Sequence, residues 1–283
     1  VKKVSLVMAV VALAAALFTG SAQAGVPFVN LEGVGGVAFN PLAYLANSAP
    51  KKGEEGLKLG PVEIGKPRIG TWYVNLNEKD IDWFTGGIAD SFANRLELSY
   101  GYESVAIGGV GHNTHKSNLG AKLLLLDENS FGTNYLPAIS VGTIYKTTSF
   151  NNPDPSVSKD SFDYYLVATK LIPELPRPVL LSAGLLSTSG QVNGILGFSD
   201  QRKQVFFGNI DILPFDNIAV GFEYKQGALF NNFKNANYFN AHVGWFVNPN
   251  LTLIAAYAHA GDSNSKTRAA LSDGPVVSLQ YSF

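Results

Sequence analysis

The sequence predicts an all-β fold, a transmembrane antiparallel β-barrel, and three observations carry that prediction. The amino terminus reads as an export signal, segments of about ten residues alternate apolar and polar side chains, and the last of them ends on the aromatic Phe283.

The first element runs from Val1 to Ala24. Lys2 and Lys3 precede an uncharged apolar run from Val4 to Phe18, and the stretch closes on Ala22-Gln23-Ala24. This is the order of a secretory signal with a small-x-small cleavage site, which divides the chain into a signal peptide at 1–24 and a barrel at 25–283. A permanent membrane helix needs about 20 apolar residues, more than this run offers. Without Lys2 and Lys3 the 21 basic residues fall to 19 against 22 acidic ones, a net charge of −3 that offers nucleic acid no attraction. The chain has no cysteine, which excludes disulfides, haem attachment, lipoprotein anchoring and thiolate metal sites.

The clearest strand is NRLELSYGYE at 94–103. Leu96, Leu98, Tyr100 and Tyr102 share one face, suited to lipid; Arg95, Glu97 and Glu103 share the other, suited to water. Similar segments recur at 67–76, 117–126, 137–147, 162–171, 179–188, 204–212, 217–226, 238–247, 250–259 and 275–283. Most approach the 9 to 11 residues or so that a tilted strand needs to cross a bilayer. Val220, Phe222 and Trp245 are expected to face the membrane. In the last segment Val277, Leu279, Tyr281 and Phe283 form the apolar face, and Tyr281 with the terminal Phe283 resembles the signal that the barrel assembly machinery is expected to read.

Connection lengths set the direction of each strand, because barrels of this kind alternate short periplasmic turns with long external loops. With the last strand ending in the periplasm, 260–274, 227–237, 189–203 and 148–161 are long and external, whereas 248–249, 213–216 and 173–178 are short and periplasmic. Two periplasmic connections are longer than the rule allows. One is 127–136; the other is 77–93, where Trp83, Phe84, Ile88 and Phe92 are spaced as in a short amphipathic helix or rim segment near 80–92. The walk makes 67–76 run inward, so an outward strand is expected at 28–40, FVNLEGVGGVAFN, with LKLGPVEIG at 57–65 as a competing choice. Twelve strands result, with ten or fourteen as alternatives.

The residues LEGVGGVAFNPLAYLA at 31–46, KPRIGTWYVNL at 66–76, DWFTGGIADSFANRLELSYGYE at 82–103 and the terminal YSF resemble a family of uncharacterised proteobacterial outer-membrane proteins. The early glycine-proline segment is also similar to barrels of capsule and exopolysaccharide export clusters. The resemblance implies a barrel and a Gram-negative outer-membrane address. It implies no substrate and no catalytic set.

The histidines offer little chemistry. His112 and His115 lie in a glycine-rich stretch expected to be a solvated external loop, and His242 is expected to face the lumen. His259 stands near Asp262 and Ser263, the best base, carboxylate and hydroxyl grouping in the chain, although Asp and Ser after a strand are ordinary turn residues. No cofactor, no metal site and no catalytic residue is assigned. GVGG lacks the strand-to-helix context of a phosphate loop.

The expected lumen lining mixes signs: Arg95, Lys122, Lys170, Lys225 and His242 with Glu97, Glu103, Asp163, Asp211 and Glu223. About 8 strands fill with their own side chains while 16 to 18 leave a water channel, so twelve lies between. The expectation is a porin-like channel for small solutes. The alternatives are a closed structural or interaction barrel, a transporter of apolar molecules, or a hydrolase at the external rim. The expected partners are outer-membrane lipid, the assembly machinery and a small solute; the oligomeric state is left open.

Overall fold

The computed structural model describes residues 27–46, 57–77, 80–108, 113–230, 233–261 and 271–283. Residues 1–24, expected to be a signal peptide, and His112, Asp262 and Ser263 lie outside the described residues.

Twelve strands close the barrel: β5 (Arg68–Leu76), β6 (Ile81–Phe92), β7 (Leu96–Ile107), β8 (Thr114–Leu126), β9 (Ala138–Thr148), β10 (Asp160–Ile172), β11 (Val179–Gly190), β12 (Phe198–Phe215), β13 (Ile218–Lys225), β14 (Tyr238–Phe246), β15 (Leu251–His259) and β16 (Asp273–Ser282). Each pairs antiparallel with its neighbours in sequence, and β16 pairs with β5 from Val276↔Val74 to Ser282↔Arg68, which leaves no open edge in the ring. A closed ring is the form in which strands satisfy every backbone group within lipid.

Two sequence expectations are corrected. Residues 28–40 are not a wall strand: β1 (Phe28–Val29) and β2 (Gly35–Gly36) pair with each other inside the barrel. The segment at 80–92 is not a helix but strand β6. The count stays at twelve because one member replaces the other, and β5 runs outward rather than inward. The physical reason lies in the inner face of β5 and β6. Trp72, Val74, Leu76, Ile81 and Trp83 point inward and are buried, so the inner face of β6 is apolar beside the outward Phe84 and Ile88, and its alternation is masked. The competing segment at 57–65 forms a short hairpin of β3 (Leu57–Leu59) and β4 (Val62–Ile64), joined to the end of β6 through Ile64↔Phe92.

The outer face carries a belt of exposed apolar side chains. Leu98, Leu119, Leu123, Leu166, Leu185, Val220 and Val243 stand in its middle, with Phe162, Phe239 and Tyr257 toward the external ends of their strands and Phe215, Trp245 and Phe283 toward the periplasmic ends. A concavity of about 610 Å³ on this face, between Leu96, Leu123, Val141, Tyr164, Leu166 and Leu185, belongs to the belt and not to the lumen.

The ring is uneven in height, with 18 residues in β12 and 8 to 10 in β13 through β16. At the external rim residues 191–197 fold inward, burying Val192 and Ile195. Asn235, from the loop between β13 and β14, holds this fold by accepting from the Val192 N–H at 2.9 Å and donating to the Gly190 carbonyl at 2.9 Å.

Candidate functional site: a lumen filled by the amino-terminal segment

Residues 27–46 run through the barrel interior, and all of them except Tyr44 are buried. Both legs of this plug reach the periplasmic rim. The Arg68 guanidinium, at the start of β5, donates to the Pro27 carbonyl, and the Tyr44 hydroxyl donates to Glu128 in the connection between β8 and β9 at 2.8 Å. That connection was longer than the turn rule allowed, and it anchors the plug.

Glycine permits the close seating. A Cβ on Gly33 would lie 2.5 Å from the Tyr100 carbonyl oxygen, and one on Gly101 would lie 2.4 Å from the Glu32 carbonyl oxygen, so the plug backbone rests directly on the backbone of β7. Gly33 also has φ +88°, a conformation that other residues adopt at a cost.

Three charged stations on the wall grip the plug. At the first, the Glu97 carboxylate accepts from the Gly35 N–H at 2.8 Å and the Ala46 N–H at 2.6 Å and pairs with Lys122 at 2.8 Å; Lys122 in turn donates to the Gly35 and Tyr44 carbonyls. At the second, Glu223 accepts from the N–H groups of Ala38 at 3.0 Å and Asn40 at 3.2 Å and from the Asn240 amide at 2.6 Å. His242 joins this network through Asn240 and through Asp211, each at 2.8 Å. At the third, the plug's own Glu32 reaches Lys116 at 2.9 Å and Lys146 at 2.5 Å, while Lys116 also pairs with Glu103 and Lys146 with Asp163. Burial raises the Glu32 pKa, but the charges of Lys116, Lys146 and Lys225 outweigh it and hold the carboxyl well below the usual range.

Uncharged side chains complete the seat. Trp72 donates to the Val29 carbonyl at 2.7 Å, Gln280 both accepts from and donates to the Val29 backbone, Thr169 accepts from Ala43 and Ser140 donates to it. On the β5, β6 and β16 side Leu31 and Phe39 pack near Val74, Trp83 and Val276, leaving a cavity of about 50 Å³.

The structure places Glu97, Glu103, Lys122, Asp163, Asp211, Glu223, Lys225 and His242 on the inner face, all buried. Arg95 and Lys170 are corrected. Arg95 stands outside the strand, in the tight turn formed by Ala93 and Asn94 at positive φ, where it pairs with Asp127 in solvent. Lys170 has the opposite parity to Asp163 and Thr169, so it leaves the inner face and pairs with Glu128 at the periplasmic rim at 3.0 Å. Leu96, Leu98, Tyr100, Tyr102, Val220, Phe222 and Trp245 face outward and are exposed; Tyr281 faces outward half-exposed, with its ring edge-on to Phe283 at 5.1 Å. GVGG belongs to the plug rather than to a wall strand. His115 is corrected from a loop residue to one in β8, stacked on Tyr102. His259 meets Asp273 at 2.5 Å and stacks on Phe239.

Sequence reasoning missed Glu32, Lys116 and Lys146. Lys116 shares its parity with Lys122, a signal lost because the strand begins earlier than its clearest alternation. Glu32 carried no strand signal, since a plug has no face periodicity.

A closed antiparallel ring girdled by apolar side chains and filled with polar ones defines an outer-membrane β-barrel. Within that class the chain belongs to DUF3034, a family described as proteins of unknown function, whose model matches residues 24–272. No curated protein matches the chain. Among solved structures a KdgM porin superposes with a TM-score of 0.52 at 15% identity, covering 76% of this chain and 99% of that one. The outer-membrane protein Omp33 of Acinetobacter baumannii gives 0.48 at 10% identity over 77% and 98% of the two chains. The COG4313 outer-membrane channel of Pseudomonas putida F1 gives 0.44 at 11% over 83% and 100%. At 15% identity the likeness to the KdgM porin is one of fold.

Proposed function

We propose that this protein is a porin-like outer-membrane channel for small solutes whose lumen is closed at rest by residues 27–46. One observation carries the reading: the space left between the wall's inward side chains is filled by a separate segment, residues 27–46. A barrel of about 8 strands fills its lumen with the wall's own side chains, and one of twelve encloses more space than that. This wall lines its interior with charged and amide groups that bind a segment whose two legs both reach the periplasmic rim, so displacing that segment toward the periplasm opens a polar passage. The name porin borne by a solved barrel of similar fold agrees with this reading. The finer likeness of residues 31–46 to barrels of exopolysaccharide clusters falls on the plug, and we read it as a likeness of the closing device rather than of a substrate.

The reading assigns no catalytic step. His259→Ala is expected to leave the lipid composition of the membrane unchanged, as assayed by mass spectrometry.

Single-channel conductance of the folded protein in a planar bilayer tests the proposal. The native chain is expected to show rare, brief openings. Gly33→Val, which leaves the wall sequence intact and denies the plug its seat on β7, is expected to give stable ohmic steps. Silence from both, with folding verified by heat-shifted gel migration, would sink the channel reading.

A further inference from the structure

The third station differs from the other two in its charge balance. At Glu97 and Lys122 the wall pairs its own charges and the plug adds only backbone groups, and at Glu223 the plug again adds only backbone N–H groups. Around Glu32 the wall supplies three cations, Lys116, Lys146 and Lys225, against two anions, Glu103 and Asp163. The missing negative charge comes from the plug. Glu32 is the single charged residue in the segment 27–46, and it is aimed at this excess. Leaving a buried cation unpaired is costly, so a wall built only to stand would pair its lysines within itself.

The station is also capped from the external side. Lys116 donates to the Asn193 carbonyl at 2.8 Å, and Lys225 donates to the Asn193 side-chain oxygen at 2.8 Å. The cap sits on strained backbone, with Val192 at φ 50° and Asn193 at φ 54°, and Asn235 holds it in place. Such strain persists only where surrounding contacts enforce it. A solute arriving from outside would exchange its own oxygens for those of Asn193 and then meet Glu32.

We propose that Lys116, Lys146 and Lys225 form a binding station for a small carboxylated solute, which the carboxylate of Glu32 occupies while the barrel is closed. The inference rests on the channel reading and adds to it the chemical class of the solute. The anion that fits is one whose carboxylate takes the place of the Glu32 carboxylate between the Lys116 and Lys146 ammonium groups. Its arrival supplies the counter-charge that allows the plug to withdraw, so binding and opening are coupled through a single exchange of carboxylates.

The test is flux of gluconate and sorbitol, which match in size and differ by one carboxylate, into proteoliposomes carrying the full folded chain. Glu32→Gln is expected to raise the gluconate-to-sorbitol permeability ratio about tenfold over the native chain, the scale set by one charge-assisted contact. Adding Lys146→Met to that variant is expected to return the ratio to the native value. An equal rise for both solutes in Glu32→Gln, or a raised ratio that survives Lys146→Met, would overturn the station and leave the channel standing. No flux of either solute in Glu32→Gln or in Gly33→Val would remove the channel reading itself. Should Glu32→Gln fail to give a heat-shifted band, Glu32→Asp, which keeps the charge but shortens its reach, is expected to give an intermediate ratio, and an unchanged ratio there overturns the station.

Discussion

Glu97 does more than balance Lys122. Its carboxylate accepts two plug N–H groups as well as the lysine, so one buried side chain joins wall to plug. Removing its charge leaves Lys122 buried without a counter-ion, and breaking such a pair costs about 3–5 kcal/mol. Glu97→Gln is therefore expected to lower the urea midpoint of unfolding, followed by tryptophan fluorescence, and Lys122→Met on the same chain is expected to recover much of the loss. Glu32 follows a different rule with pH. Its folded pKa lies below its unfolded one, so the stability it contributes is present above the ordinary carboxylate range and is lost only as pH falls through the lower folded value. The native channel is expected to open as rarely at pH 5 as at pH 7, and a higher open probability at pH 5 would contradict the pairing of Glu32 with its lysines.

At the scale of elements, the plug is held by contact between two backbones, and the wall strand contributes as much to that contact as the plug does. Gly101 in β7 faces the Glu32 carbonyl so closely that any side chain there must push the plug away. The strand itself tolerates valine, a residue that favours strands. Gly101→Val is expected to preserve the heat-shifted migration of a folded barrel while making the plug accessible to protease from the periplasmic side, read as cleavage near Tyr44. The loop at 191–197 and the plug meet at Lys116, one donating group serving both, so loosening either changes the contacts of the other. The unusual length of the connection between β8 and β9 has its explanation at this scale, because Glu128 within it binds Tyr44, Lys170 and the Leu171 N–H together.

For the whole molecule the prediction concerns direction. With β16 ending at the periplasm, Ser156 in the loop between β9 and β10 lies outside the cell and Glu174 between β10 and β11 lies in the periplasm; both are exposed. The chain has no cysteine of its own, so single cysteines report cleanly. Ser156→Cys is expected to react with a membrane-impermeant maleimide on intact cells, and Glu174→Cys only after the outer membrane is permeabilised. The reverse pattern would invert the barrel and place the Glu32 station at the inner mouth.

Alternation, strand length and connection length were legible in the sequence because each is a local consequence of crossing a bilayer. A strand with lipid on one side and polar groups on the other must alternate, as β7 does from Leu96 to Glu103, β13 from Ile218 to Lys225 and β14 from Phe239 to Trp245. From these the barrel class, the outer faces and most of the buried charges could be read from residue order alone. The plug could not, since a segment surrounded on all sides has no solvent face to write a period into its sequence. The same fact hid β6, whose inner face is apolar because it packs on the plug. Which lysine meets which carboxylate was likewise decided by closure, because Glu32 and Lys146 stand 114 residues apart and meet only when the ring closes around the segment.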